Sequence, residues 1–260
     1  DFFEWFEHIK VPEIVSEWET FDLFNFPKDH VAKRPSDSYF LKKSDNPEES
    51  ILLRPHTSVM WYYYLIDWGG KEKLEQTWEV KALSWWKVYR VDELDKTHHE
   101  CFHQIDWLRI ISKDKEIINQ DTLKEVLSKT ITALFWEWVE YRFNTDQFPY
   151  TTDSLEVEVY DEKEWNWIEV LWAWVVHPSV LEKLWIDSEK YNWWAFGFGI
   201  ERLAMGMKKV PDIRMFWSDD DRITKQWWDM EAFEEVSNFP PVYKDISFFT
   251  WLDKFIKDDQ

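Results

Sequence analysis

SLEVEVY at residues 154–160 alternates apolar and polar side chains without a break, and WIEVLWAWVVH at 167–177 follows as a longer, more apolar run. Period-two alternation predicts a half-buried strand, and the continuous run predicts a strand buried on both faces. Downstream, FGFGIERLAMGMKK (196–209) predicts a strand, a turn and a helix. Upstream, WEVKALSWWKVYRVD (78–92) predicts a pair of strands, and CFHQIDWLRIIS (101–112) predicts another. Between them and SLEVEVY lies NQDTLKEVLSKTITALF (119–135), an amphipathic helix with Asp121 as the expected N-cap. PEIVSEWETFDLF (12–24) predicts a helix that ends before Pro27. Residues 28–50 carry Pro35 and Asn46-Pro47 and predict a loop around a short SYFL strand. Residues 51–66 start extended at ILLR and continue as a helix. Five to seven strands with few βαβ alternations predict an α+β fold, an antiparallel sheet flanked by helices.

Composition narrows the function classes. In 260 residues, 45% are hydrophobic and 32% charged, enough for a large core with a charged coat. No run approaches the roughly 18 uncharged apolar residues of a membrane span. The formal net charge of −20 excludes a broad basic face for nucleic acid but leaves room for a few arginines around a phosphate. A lone cysteine, Cys101, excludes a disulfide framework and fits a reducing, cytoplasmic setting. The start, DFFEWFEHIK, has neither an initiator Met nor a signal-peptide pattern, as expected of a fragment. Two counts stand out: 21 Trp and 5 Gly. Ordinary glycine usage of about 7% would give roughly 18 in this length.

Four clusters carry candidate chemistry. In WKVYRVD (86–92) and THHECFHQID (97–106), Arg90 can fork onto a phosphate while Phe102 stacks on a planar base; a surface arginine and a core phenylalanine are the plain alternative. His99, Cys101 and His103 share one strand face beside His98, but three neighbours on one strand converge poorly on a tetrahedral metal. FGFGIER (196–202) places two glycines before a helix with Arg202 in its first turn, and lacks the third glycine of a dinucleotide fingerprint. RPHTS (54–58) holds His56 and Ser58 two residues apart, which is not the geometry of a nucleophilic triad.

Taken in order, FDLFNFPKDH, LLRPHTS, KVYRVDELDKTHHECFHQID, FPYTTDSLEVEV, WIEVLWAWVVHP, WAFGFGIERLAM and PDIRMFW resemble the catalytic core of the phenylalanyl-tRNA synthetase family over about residues 12–228. The resemblance implies a class II synthetase core of about six antiparallel strands over residues 1–236. NFPPVYKDISFF (238–249) resembles the first strand of the family's ferredoxin-like anticodon-binding domain, so 237–260 is expected to be a truncated start of that domain. It implies ATP and Mg²⁺ as cofactors, phenylalanine and tRNA(Phe) as substrates, and a second synthetase subunit or self-association; no membrane partner is expected. Arg90 then corresponds to the arginine on the ATP α-phosphate, Phe102 to the ring under adenine, and Arg202 to the arginine on the γ-phosphate. Asp92 joins the nucleotide site, and Glu156 and Glu169 stand where acidic groups hold Mg²⁺ or nucleotide. His56, Ser58, Gln104 and Asp106 match head-group positions, Phe148 and Tyr150 the aromatic pair against the substrate ring, and Ala195 the small residue at the pocket floor.

The chain departs from the family pattern in places. Asp106 stands where the family usually has Glu, and Thr152 where two-chain relatives often have Glu. Trp86, Trp107, Trp136, Trp138, Trp165, Trp172, Trp174, Trp185 and Trp193 stand at family glycines, whereas Trp167, Trp194 and Trp217 stand at family aromatics. Two explanations compete: a synthetase-like module with a Trp-filled pocket that binds a ligand or partner without catalysis, or UGA codons that the source reads as glycine. A ligase core for another amino acid and a purely structural acidic protein are the remaining rivals.

Overall fold

In a computed structural model, the structure describes residues 5–135, 139–161, 166–229, 231–237 and 239. Trp136, Trp138 and Trp165 lie outside the described residues, as does nearly all of the expected second domain at 237–260.

The described residues form ten strands and four α-helices of six residues or more. The strands are β1 (Glu7–His8), β2 (Ile14–Ser16), β3 (Phe40–Lys42), β4 (Ile51–Leu53), β5 (Glu79–Tyr89), β6 (Cys101–Ser112), β7 (Tyr141–Asp146), β8 (Thr151–Asp161), β9 (Asn166–Val176) and β10 (Tyr191–Gly199). The helices are α1 (Gly70–Thr77), α2 (Gln120–Phe135), α3 (Pro178–Lys183) and α4 (Ile200–Lys208). Seven strands form one sheet in the order β1-β5-β6-β10-β9-β8-β7, and β2-β4-β3 form a small second sheet. Every pair in the large sheet is antiparallel except the edge pair β1–β5. The fold is therefore α+β, as expected.

Several elements differ from the expectation. Residues 79–89 form one long strand, not a pair, because its hairpin partner is β6, reached across the polar turn at 90–100. Residues 12–24 split into strand β2 and a helical turn at Trp18–Asp22. Ile14 and Val15 are drawn onto β4 instead of continuing a helix. Strand β7 lies in a stretch, YRFNTD, whose weak alternation gave no signal; pairing with β8 supplies its order.

The N-cap of α2 is Asn119, one turn-start earlier than Asp121. Its side-chain oxygen accepts from the N–H of Asp121 at 2.9 Å and of Thr122 at 3.0 Å. Thr122 Oγ1 accepts in return from the N–H of Asn119 at 3.0 Å. Two orphan donors of the first turn are thereby satisfied by one side chain.

The large sheet buries both faces. One face, with Ala82, Leu108, Ala195 and Trp193, packs on Trp61, Tyr64, Leu65 and Leu74 from the helical segment 57–67 and α1. The other, with Leu155, Val157, Leu171 and Phe196, packs on Leu123, Leu127 and Ile131 of α2. Strand register then sets the site. Directly paired residues point to the same side of a sheet. Asn144, Glu156, Trp172, Gly197, Asp106 and Ser84 form one such row across six strands. Gly197 in this row has no room for a side chain: a Cβ there would lie 2.8 Å from the carbonyl oxygen of Ile105.

The cap gives a stability prediction. Asn119→Ala should lower the unfolding free energy by about 1 kcal/mol, whereas Asp121→Ala should cost roughly 0.5 kcal/mol or less. Urea unfolding followed by circular dichroism measures both; equal losses would show that Asp121 shares the cap.

Candidate active site

A cleft of about 500 Å³ opens on the sheet, lined among others by His56, Ser58, Arg90, Asp92, Phe102, Gln104, Asp106, Phe148, Tyr150, Glu169 and Arg202. Eleven of the thirteen residues singled out from the sequence line this one cleft; Glu156 and Ala195 are not in its lining.

One end is cationic. Arg90 follows β5, and its N–H bonds the Glu100 carbonyl at 3.0 Å, one step beyond the Tyr89–Cys101 pair that ends the ladder. Its guanidinium carbon lies 5.2 Å from the Phe102 ring centroid, and Nε donates to the Pro55 carbonyl at 3.0 Å. Arg202 comes from the first turn of α4, far along the chain. Gly199 lies between that turn and Phe102: a Cβ at 199 would be 3.7 Å from Arg202 Cβ and 4.0 Å from Phe102 Cδ2. Glu201 ties that turn to β6. Its buried carboxylate accepts from the His103 N–H at 2.8 Å and lies 2.5 Å from His103 Nδ1. Although the chain has 51 acidic residues, neither Arg90 nor Arg202 has a carboxylate within ion-pair distance among the described residues. Two unpaired guanidinium groups in one cleft are suited to a polyanion.

The middle of the cleft is polar and buried. Asp106 is 3% exposed. It accepts from Ser58 Oγ at 2.7 Å and from Trp61 Nε1 at 3.1 Å. Burial outweighs those two bonds and raises its carboxyl from 3.8 to about 7. His56 is held neutral: burial, with Arg90 nearby, lowers its pKa from 6.5 to about 4. Its Nε2 faces the Thr20 carbonyl at 3.0 Å, which assigns the proton to Nε2 and leaves Nδ1 as an acceptor. That Nδ1 is buried with no partner among the described residues. A buried carboxyl and an unfilled imidazole acceptor are what a ligand ammonium would satisfy. Gln104 lies on the same strand face, with Oε1 accepting from the Thr57 N–H at 3.3 Å.

The far end is aromatic. Phe148 and Tyr150 stack with centroids 5.6 Å apart. Phe24 meets Tyr150 edge-on at 5.9 Å and Phe26 stacks on it at 5.6 Å. Burial, reinforced by Asp106, raises the Tyr150 phenol well above its ordinary value. Trp172 and Trp174 complete the wall. Ala195, fully buried in the core, pairs across the sheet with Trp174, which faces the cleft in its place.

Beside Arg202's end lie the carboxylates. In β9, Glu169 pairs with Glu158 and Leu171 with Val157, so Val170 is an extra residue. This bulge turns Glu169 to the same side as Trp172. Glu156 pairs with Trp172 one strand away. Its carboxyl is raised by burial and then by the repulsion of Glu169 and Glu158, against the bond from Asn144. Mutual repulsion of this kind is relieved by a divalent cation. Among the described residues no group of three or more such side chains is close enough to hold a metal unaided. A Mg²⁺ at this pair would take its other ligands from phosphate oxygens and water. The His98–His103 segment is engaged elsewhere. His99 stacks on Trp217 at 4.2 Å, His98 bonds Asp95 at 3.0 Å, and His103 bonds Glu201.

Sequence inspection missed Trp61, whose indole N–H fixes Asp106, and Glu201, which fixes α4. Trp61 sits in an apolar helical run with no polar periodicity to betray it. Glu201 was visible only as the neighbour of Arg202.

A family profile described as "tRNA synthetases class II core domain (F)" matches residues 3–227. Among curated proteins, the chain is 34% identical over 258 residues to the chloroplastic/mitochondrial phenylalanine–tRNA ligase of Arabidopsis thaliana, covering 95% of this chain and 55% of that protein. It is 35% identical over 222 residues to the phenylalanine–tRNA ligase alpha subunit of Coxiella burnetii, covering 85% and 62%. It is 30% identical over 286 residues to the mitochondrial phenylalanine–tRNA ligase of Mus musculus, covering 96% and 59%. The chain thus spans between 55% and 62% of the length of these relatives. Among solved structures, pyrrolysyl-tRNA synthetase from Desulfitobacterium hafniense superposes with a TM-score of 0.58 at 19% identity, covering 81% of this chain and 66% of that one; this likeness shows the fold.

Asp106 makes a pH prediction. Between about 4 and 7 the folded protein keeps a proton on this carboxyl that the unfolded chain has released. The stability it contributes therefore falls as pH rises through that window and is level above it. Asp106→Asn should flatten this slope. Urea midpoints taken from pH 4 to 8 on both proteins test it; an unchanged slope in the variant would show that Asp106 titrates normally.

Proposed function

Since the chain belongs to the class II tRNA synthetase core family, we propose that it activates phenylalanine with ATP and transfers the aminoacyl group to tRNA(Phe). In the first step a carboxylate oxygen of phenylalanine attacks the α-phosphorus of ATP, and pyrophosphate leaves with the bonding pair. In the second, a ribose hydroxyl of the tRNA terminus attacks the acyl carbon, and AMP leaves. The nucleophile of the first step is already ionised, so the protein needs no strong base. Its work is positioning and stabilisation of phosphoryl charge.

The residues suit these roles. Phe102 offers its open face to adenine while Arg90, braced by Pro55, meets the α-phosphate. Arg202 meets the terminal phosphate, held by the Glu201–His103 contact. Asp106, His56 Nδ1 and Gln104 accept from the substrate ammonium. Phe148 and Tyr150 pack on the benzyl ring, and a largely aromatic wall that strips water from a phenol hydroxyl disfavours tyrosine. Glu156 and Glu169 would hold Mg²⁺, which supplies charge neutralisation on the phosphates when bound. The reading rests most on one observation: Arg90 and Arg202, separated by more than a hundred residues, flank one cleft without carboxylate partners.

Partners follow from the relatives. The alpha-subunit name of the Coxiella relative suggests a second subunit, and the organellar names of the plant and mouse relatives suggest a single-chain alternative. No helix among the described residues is long and apolar enough to cross a membrane. The working compartment is that of translation, the cytoplasm or an organelle. The Trp-filled, inactive module has no support from the comparisons.

The natural protein should exchange pyrophosphate into ATP in the presence of phenylalanine and far less with tyrosine; exchange with neither, or with another amino acid alone, would sink this reading. For the nucleotide half, Arg90→Ala and Arg202→Ala should each weaken ATP binding by about ten- to a hundred-fold. Isothermal titration measures this, and unchanged affinity in both variants would place the triphosphate elsewhere.

A further inference from the structure

Among the described residues, four that are not glycine have positive φ: Asn25, Trp78, Trp185 and Lys209. Asn tolerates that region through its short polar side chain; tryptophan has no such excuse. Both tryptophans sit at a helix end where the left-handed turn is structural. Trp185 has φ 55° and follows α3. The Ile186 N–H bonds the Leu181 carbonyl at 2.9 Å, and the Trp185 N–H bonds the Glu182 carbonyl at 2.9 Å. That pair of bonds, with Leu181 and Ile186 both in the core, is a complete Schellman ending with Trp185 in the glycine slot. Trp78 has φ 65° and ends α1, its N–H bonding the Leu74 carbonyl at 2.8 Å, the simpler left-handed cap. Trp185 is 62% exposed and Trp78 40% exposed, so burial offers little compensation for the backbone strain.

The cleft wall points the same way. Trp172 meets Phe148 edge-on, centroids 5.3 Å apart at 84°, and Trp174 meets Tyr150 at 5.8 Å and 65°. These indoles hold the edge-to-face positions that an aromatic ligand would take against that pair. The indole N–H of Trp174 is buried without a partner among the described residues, and that of Trp172 donates to the carboxylate of Glu169 at 2.6 Å. Trp172 also pairs with Gly197, in the row with Asp106. By contrast Trp61 is buried with its N–H on Asp106, and Trp217 stacks squarely on His99.

We infer that positions 78, 172, 174 and 185 are glycine in the protein made in its own cells, from a codon that those cells decode as glycine, and that removal of the two indoles at 172 and 174 creates the hollow for an aromatic amino acid. One cause then covers the strained caps and the filled cleft, and it moves the counts of 21 Trp and 5 Gly towards ordinary usage. The statement about the hollow rests on the proposed amino-acid site; the statement about the caps does not.

The protein isolated from its own cells should be digested with trypsin and its peptides sequenced by mass. Residues 74–81 and 184–190 lie between cleavage sites and report positions 78 and 185. Glycine at both, with tryptophan retained at 217, is expected; tryptophan at either, or glycine at 217 as well, overturns the inference. A second arm uses recombinant chains. Trp185→Gly should melt about 2–4 °C above Trp185→Ala, since only the Cβ in a left-handed backbone distinguishes them. Equal melting would remove the strain on which the assignment stands. The double variant Trp172→Gly/Trp174→Gly should bind phenylalanine at least ten-fold tighter than the chain with both indoles; no gain would contradict the statement about the hollow. Glycine peptides together with absent phenylalanine binding would leave the decoding standing and count against the proposed substrate.

Discussion

Two guanidinium groups that form no ion pair with a carboxylate among the described residues organise this molecule. In a chain of net charge −20, an arginine on the surface would find an acidic neighbour easily. Arg109 does so twice over, bonding Glu79 and Glu116 at 2.8 Å. Arg90 and Arg202 do not, because the structure spends its nearest hydrogen bonds otherwise. Arg90 is braced on a backbone carbonyl and a phenylalanine face, and the acid next to Arg202 is turned inward to His103. Burial already disfavours the charge on Arg90, and a polyanion in the cleft would offset that cost. The sheet, the hairpin and the first turn of α4 can be understood as the frame for that pair.

The frame works through register. A single row of paired residues carries a carboxylate at Glu156, the wall at Trp172, the bare backbone at Gly197 and the buried acid at Asp106. Moving any strand by one residue would send these groups to the α2 side. A bulge at Val170 locally corrects the register and turns Glu169 toward the cleft. The ends of the cleft are thus chemically distinct. Arg90 lies over Phe102 with Arg202 in the same cleft, acceptors for an ammonium lie at Asp106 and His56, and rings lie at Phe148 and Tyr150. Nucleotide, head group and side chain of an aromatic amino acid would fall in that order.

Much of this was legible in the letters. The alternation of SLEVEVY and the apolar run of β9 predicted adjacent strands, and FGFGIER predicted the strand-to-helix turn that carries Arg202. The ordered motifs, by resemblance, named eleven residues that now line one cleft. What escaped was whatever depends on a distant partner. Strand β7 has little pattern of its own, and β5 looked like two strands because its turn lies past Arg90. The cap at Asn119, two residues before the expected Asp121, is decided by backbone geometry. Trp61 and Glu201 act on other residues through contacts 45 and 98 positions away in sequence. The tryptophans posed the reverse problem: their number was visible at once, and the left-handed caps at 78 and 185 gave it a physical meaning.

The most direct measurement is an experimental structure of the protein with Mg²⁺ and a non-hydrolysable ATP analogue. The account predicts adenine stacked on the Phe102 ring, with the guanidinium of Arg90 on the first phosphate and that of Arg202 on the last. A nucleotide bound elsewhere, or one that leaves either arginine without a phosphate oxygen, would contradict it.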